Sequence, residues 1–224
     1  MSNKLNTLII QFSEELDRSE IKYFRGAIIS SIGDSMSNLF HNHVGDNFRY
    51  SYPLVQYKMV RKRAAIVCIK NGVEAIGEFF ANADLNMSLG NREVRMTIDT
   101  VRPYSTIVQL WNDMFKYRVR NWLPLNSKNY SEFIKLDSLR DRVTFLERML
   151  VGNLLSFAKG VGVLLEDELK CEIINLSEPR LVRNKNVKLM SFDIEFKTNM
   201  SLPEYVGIGK NASVGYGIVT QVKY

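Results

Sequence analysis

An α+β fold, two tandem ferredoxin-like domains with antiparallel sheets, is what this sequence predicts. The first hundred residues read strand, helix, strand, strand, helix, strand, which is the order of a ferredoxin-like unit. The second half repeats that theme more loosely. No low-complexity linker separates the halves, and Pro103 lies near the natural boundary between them. The expected domains are 1–103 and 104–224, packed tightly together.

Each element follows from a local pattern. Residues 5–12 alternate partly and read as a first strand. From Ser19 to about Phe40, the apolar residues Ile21, Phe24, Ile28, Ile32, Met36 and Leu39 recur at helical spacing, with Ser19 as N-cap. Gly33 weakens that helix somewhat. A loop follows over 41–46. Residues 52–60 and 64–69 are strand-like runs joined by Arg61-Lys62-Arg63. After the turn signal Asn71-Gly72, residues 73–83 read as a short helix, and 92–101 alternate again. In the second half, strand-like material surrounds Arg118 and Arg120. Residues 138–158 form a strong helix, with Leu139, Val143, Leu146, Leu150 and Leu154 on one face. Strands follow at 168–176, 180–183 and 187–198, and 218–224 closes the chain as a strand.

Composition bounds the function. In 224 residues, 46% are hydrophobic and 24% charged, which suits a soluble globular protein whose core needs no disulfide or metal staple. The formal net charge of +6 favours polyanion partners. The two cysteines, Cys68 and Cys171, sit in apolar strand-like runs and read as buried free thiols; two cysteines make no zinc site. The N-terminus lacks a basic run followed by an apolar core, and no stretch approaches the length of a membrane span. A cytoplasmic protein with no membrane partner is expected.

The most specific segment is Gly207-Ile208-Gly209-Lys210-Asn211-Ala212-Ser213-Val214-Gly215-Tyr216-Gly217. Glycine permits positive φ and close approach of another backbone. Successive N–H groups can form a concavity for phosphate oxygens. Lys210 adds a charge, while Asn211 and Ser213 can donate hydrogen bonds. A plain glycine turn before the last strand is the competing interpretation. A dinucleotide fold is excluded, because its glycines follow a first strand and open a helix. A P-loop is excluded, because no Gly-Lys-Ser/Thr closes the segment.

Both histidines of the chain lie in Phe40-His41-Asn42-His43-Val44. Histidine is the side chain best matched to proton transfer near neutral pH. A single histidine more often serves as a surface or capping residue. A metal site needs further ligands, and Asp46 is the only near candidate. Acid–base work agrees better with an anion-gripping loop.

Position then sharpens the glycine segment. Gly-apolar-Gly, five residues with a basic one, then Gly-apolar-Gly close to the C-terminus resembles the CRISPR repeat-RNA processing endoribonucleases. The architecture of that family is two ferredoxin-like, RNA-recognition-type domains. A histidine after the first helix is its usual catalytic residue. His-Asn-His followed by Arg49-Tyr50 resembles the subgroup with paired histidines and a nearby tyrosine. The resemblance implies His41, His43 and Tyr50 as catalytic residues, with the base and acid roles unassigned between the histidines. It implies metal-independent cleavage of precursor CRISPR RNA within its repeats, with no cofactor. The 2′-hydroxyl attacks and leaves a 2′,3′-cyclic phosphate and a 5′-hydroxyl. The expected partners are CRISPR repeat RNA, other CRISPR effector subunits and a second copy of the chain. The alternative is a non-catalytic RNA-binding subunit of such a complex. Some members of the family use a lysine in the first helix; residues 28–40 carry none, and Arg49 and Lys58 are substitutes for the missing cation.

Further RNA contacts are expected from basic clusters. These are Arg61, Lys62 and Arg63 in the hairpin turn, Arg118 and Arg120 on one strand face, and Arg180 and Arg183. Gly207, Gly209, Lys210, Asn211, Ser213, Gly215 and Gly217 complete the set. Tyr50, Tyr52, Tyr57, Tyr104, Tyr117 and Tyr216 are candidates for stacking on bases.

Overall fold

The computed structural model describes residues 3–31, 52–82, 85–184 and 187–222. The chain forms two compact units. Lys4–Thr106 makes the first, joined by Ser213–Gly215; Ile107–Ala212 and the chain from Tyr216 onward make the second. No described helix is long and apolar enough to cross a membrane.

The first unit begins with β1 (Lys4–Glu15), a short 3-10 turn (Arg18–Glu20) and α1 (Ile21–Ser30). The expected cap, Ser19, lies inside the turn. Asp17 caps it instead, in a capping box in which its backbone N–H donates to the Glu20 carboxylate at 2.7 Å. Next come β2 (Val55–Val60), β3 (Arg63–Ile69) and α2 (Asn71–Asn82). A hairpin of β4 (Asn86–Leu89) and β5 (Arg92–Arg95) precedes β6 (Ile98–Ile107). The sheet order is β2-β3-β1-β6, the ferredoxin-like arrangement. Pro103 sits in β6, an edge strand, where a missing N–H is tolerated.

Alternation along the strands sets the core. Ile10, Phe12, Val55, Tyr57, Ile66 and Cys68 face Ile21, Phe24 and Ile28 of α1. Phe24 meets Phe12 and Tyr57 edge-on, with centroids 5.6 and 6.0 Å apart. The Tyr57 hydroxyl is buried there without a hydrogen-bond partner among the described residues, and burial pushes its pKa up. A buried unpaired hydroxyl costs about 1–3 kcal/mol. Tyr57→Phe is therefore expected to hold or raise the unfolding free energy in urea titrations; a loss above about 1 kcal/mol would mean that the phenol has a partner.

On β1, β2 and β3 the opposite face of this sheet is largely buried too. Ile9, Ala65, Val67, Gln56 and Lys58 lie on it, and Val67, Gln56 and Lys58 are fully buried.

The second unit contains β7 (Leu110–Trp122), α3 (Ser127–Phe133), α4 (Leu139–Gly160), β8 (Cys171–Leu176), β9 (Arg180–Asn184), β10 (Val187–Met200) and β11 (Ile218–Gln221). Ser138 caps α4, accepting from the Asp141 N–H at 3.0 Å. Phe145, Leu146, Leu150, Leu154 and Phe157 are its buried face. Phe133 of α3 joins helix and sheet, with ring centroids 5.9 Å from Phe145 and 5.8 Å from Phe192. The sheet order is β11-β7-β10-β8, with β9 pairing β10. With β9 left out of the count, last strand beside first, first beside third and third beside second is the neighbour pattern of the first unit again. The difference lies between the third and last strands. The first unit has α2 there; in the second, residues 201–217 carry no helix, and the glycine segment occupies the place.

Candidate nucleic-acid interface

The glycine segment is anchored on the end of β7. Asn121 is a left-handed residue there, φ 54°, and its N–H donates to Asp193 Oδ1 at 2.7 Å. Its carbonyl accepts from Gly217 N–H at 3.0 Å. Lys210 N–H donates to the Leu123 carbonyl at 3.1 Å, and Ile208 N–H to the Gly217 carbonyl at 2.9 Å. A Cβ at Gly209 would lie 2.9 Å from Asn153 Oδ1 and 3.0 Å from Trp122 Nε1, a pair that is itself hydrogen-bonded at 2.8 Å. The loop therefore presses backbone-first against Trp122, Leu123 and Asn153.

The other end of the segment belongs to the first unit. Tyr57 N–H donates to the Ser213 carbonyl at 2.8 Å, and Val214 bridges Tyr57 in parallel sense. Gly215 packs against Ile21 at the start of α1, where a Cβ would meet Ile21 Cδ1 at 2.6 Å.

This geometry corrects part of the sequence expectation. Gly207, Gly215 and Gly217 are buried, and the amides of residues 208, 210 and 217 are bonded within the protein. The glycines serve close approach more than an open row of N–H groups. What the segment presents outward is Lys210, which is exposed, with Asn211 and Ser213 half-buried beside it in the chain. Asn211 holds φ 60° and buries its amide nitrogen without a partner among the described residues.

The basic residues separate into two groups. Arg118 and Arg120 alternate with buried Tyr117 and Val119 on β7. Arg118 binds the Glu195 carboxylate of β10, whose other oxygen takes Lys116 at 2.9 Å. These two cations hold the Glu195 carboxyl below the usual carboxylate range, Lys116 first. Arg180 pairs with Asp193 at 2.7 Å, and Arg63 with Asp99 at 2.9 Å. Arg61, Lys62, Arg120, Arg183 and Lys210 are outward cations with no ion pair among the described residues.

Lys58 is a second correction. It is fully buried, so it does not present its ammonium with the exposed set. Burial disfavours the charged form and brings its pKa down to about 7. Of the tyrosines, Tyr57 and Tyr117 are core residues; Tyr104 is exposed and Tyr52 and Tyr216 half-buried. His41, His43, Asp46, Arg49 and Tyr50 lie outside the described residues.

Sequence reasoning missed the supports of the loop, Asn121, Trp122, Asn153 and Asp193, and the Glu195 carboxylate that restrains Lys116 and Arg118. Asn121 had a faint signal, since Asn is the residue that most readily takes a left-handed position after Gly.

Comparison with known proteins bears on the whole chain. Residues 3–106 match the family model described as the Cas6b N-terminal domain, and 109–222 that of the Cas6b C-terminal domain. An uncharacterized protein of Methanocaldococcus jannaschii is 38% identical over 112 residues, 50% of this chain and 75% of that protein. A crystal structure of Cas6b is 29% identical with a TM-score of 0.89, over 98% of this chain and all (100%) of the other. A crystal structure of the CRISPR RNA processing endoribonuclease Cas6b is 26% identical with a TM-score of 0.76, over the same shares of 98% and 100%. With both of its halves carrying the two domains of one family, in order and almost end to end, the chain belongs to the Cas6b family.

Proposed function

We propose that this chain is an endoribonuclease that cuts precursor CRISPR RNA within its repeats, without a metal ion. The observation that carries the reading is the glycine segment, which stands between β10 and β11 where the first unit has a helix between its corresponding strands, in a chain whose halves match both Cas6b domains. The similar endoribonuclease structure supports the substrate class.

The chemistry needs a base, an acid and positive charge. A base removes the 2′-hydroxyl proton, the oxygen attacks the adjacent phosphorus, and the bond to the 5′-oxygen breaks. An acid protonates that oxygen as it leaves. The products are a 2′,3′-cyclic phosphate and a 5′-hydroxyl. His41 and His43 take the base and acid roles between them, with Tyr50 as their neighbour in the site. General acid–base help contributes about 10²–10⁴-fold. Lys210 and the outward arginines Arg120 and Arg183 hold the RNA backbone.

Incubation of the wild-type protein with repeat RNA in EDTA, followed by end-group analysis, tests this reading. Cyclic phosphate and 5′-hydroxyl ends are expected at an undiminished rate. Strict dependence on a divalent ion, or 3′-hydroxyl ends, would sink the mechanism. Binding without any cleavage would make the chain a non-catalytic RNA-binding subunit.

Glu195 gives an independent check. Its carboxylate occupies Lys116 and Arg118, which face outward on β7. Glu195→Gln is expected to free both cations for phosphate. Affinity should then rise for any single-stranded RNA, with a steeper salt dependence. Unchanged affinity in a salt titration would remove that face of β7 from the RNA path.

A further inference from the structure

We infer that the tip of the β2–β3 hairpin, Arg61 and Lys62, is a sequence-independent contact for the phosphate backbone of bound single-stranded RNA. This rests on the reading of the chain as an RNA-binding nuclease and adds a site to it. Val60 pairs with Arg63, so the loop is two residues long. Arg61 has φ 50° and Lys62 φ 67°. Two consecutive positive φ values are the type I′ conformation, for which Asn-Gly is the favoured pair. Two long basic side chains are a strained choice there, because Cβ crowds the following carbonyl in left-handed backbone.

The surroundings hold the strained turn in place. Leu16 N–H donates to the Lys62 carbonyl at 2.8 Å, and Gln11 Nε2 to the Val60 carbonyl at 3.2 Å. Strain that neighbouring structure over-determines is a pointer to function rather than to a loose loop.

Charge points the same way. The nearby cations are neutralised: Arg63 by Asp99 at 2.9 Å, and Arg92 by both oxygens of Glu20 at 2.7 and 3.1 Å. Arg61 and Lys62 are exposed and have no such partner among the described residues. The depression beside Lys62 is lined by Glu15, Asp17 and Glu20 against Arg18, Lys62 and Arg92, so its charges balance. Arg61, outside that lining, supplies the net positive charge. Point charges on a projecting turn contact phosphates, and phosphate contacts carry no sequence information.

The double variant Arg61→Asn/Lys62→Gly tests this, because it installs the favoured type I′ pair and keeps the fold. Its thermal midpoint should equal or exceed that of the wild type. Binding is measured by salt titration with 2′-O-methyl RNA, which lacks the attacking hydroxyl, using a CRISPR repeat and an unrelated single strand of equal length. Both RNAs should lose affinity by the same factor, on the order of tenfold at ~0.1 M salt. The slope of log affinity against log salt should become shallower by about 1.4, roughly 0.7 for each lost phosphate contact. Lys128→Gln/Lys135→Gln removes the same charge from exposed positions on and just after α3 and should have a much smaller effect. Unchanged binding by the tip variant, an equal loss in the α3 control, or a loss confined to the repeat each overturns the assignment. A wild-type protein with no salt-sensitive affinity for either RNA overturns the nuclease reading along with it; wild-type binding that the tip variant retains overturns the tip alone.

Discussion

His43→Ala is expected to slow cleavage of repeat RNA by about 10²–10⁴-fold while leaving affinity for that RNA largely unchanged. The separation follows from the division of labour proposed here. In that proposal Lys210 and the outward arginines grip the RNA, and charged groups of this kind would act on its ground state. A general acid or base acts only as a proton moves, so its removal lowers kcat and spares binding. Two histidines sharing base and acid roles also predict a bell-shaped dependence of kcat/KM on pH, since one must be neutral and the other protonated. Loss of His43 should leave one limb of that bell, and His41→Ala the other. Single-turnover rates across pH, in EDTA, measure all of this. Cleavage by His43→Ala at the wild-type rate would exclude His43 from the chemistry. A parallel loss of affinity and rate would instead make the histidine part of the grip.

How much of this was legible in the sequence differs by element. The α4 helix was readable because Leu146, Leu150 and Leu154 recur on one face and Ser138 stands before them as a cap. The β2–β3 hairpin was readable because two apolar runs flank a basic pair. The α3 helix was not, since its sequence, Ser-Lys-Asn-Tyr-Ser-Glu-Phe, has a single buried residue and therefore no apolar period. β5 was merged with the start of β6 into one strand over 92–101, and β4 was not read, for a similar reason: β4 and β5 are four residues each. The cap before α1 was legible as Asp17-x-x-Glu20 but was assigned to Ser19, two residues late. Lys58 shows a deeper limit. A lysine in an alternating strand reads as facing water, yet β2 and β3 are buried on both faces, and no local pattern reports the burial of the second. The glycine segment shows the converse. Its composition announced a special backbone, but only the fold shows how many of its amides are already bonded inside the protein.

Gly217→Ala is expected to destabilise the second unit and to remove RNA binding with it. Gly217 holds φ +63°, and a Cβ there would lie 1.8 Å from the Ile208 carbonyl oxygen and 2.8 Å from its carbon. That oxygen belongs to backbone rather than to a flexible side chain, so the neighbour cannot swing aside. The same two residues are joined by the bond from Ile208 N–H to the Gly217 carbonyl at 2.9 Å, and Gly207 bridges Ile218 alongside. The pair is the neck from which residues 209–216 project. A methyl group at 217 must open the neck, break that bond and the one from Gly217 N–H to Asn121, and strain a left-handed residue as well. Overpacking costs about 1–3 kcal/mol and left-handed backbone about 1–2 kcal/mol more, so a loss of about 2–5 kcal/mol is expected in urea titrations. Gly152 supplies the contrast. It sits in α4, where a Cβ would meet no described atom within 4 Å beyond its own stretch of helix, and Gly152→Ala should stabilise the protein by about 0.5–1 kcal/mol. If the glycine segment is the RNA grip, the affinity of Gly217→Ala should collapse even at temperatures where the protein remains folded, while Gly152→Ala binds normally. Retention of RNA affinity by folded Gly217→Ala would leave the segment as a structural turn and move the grip to the outward arginines of β7 and β9.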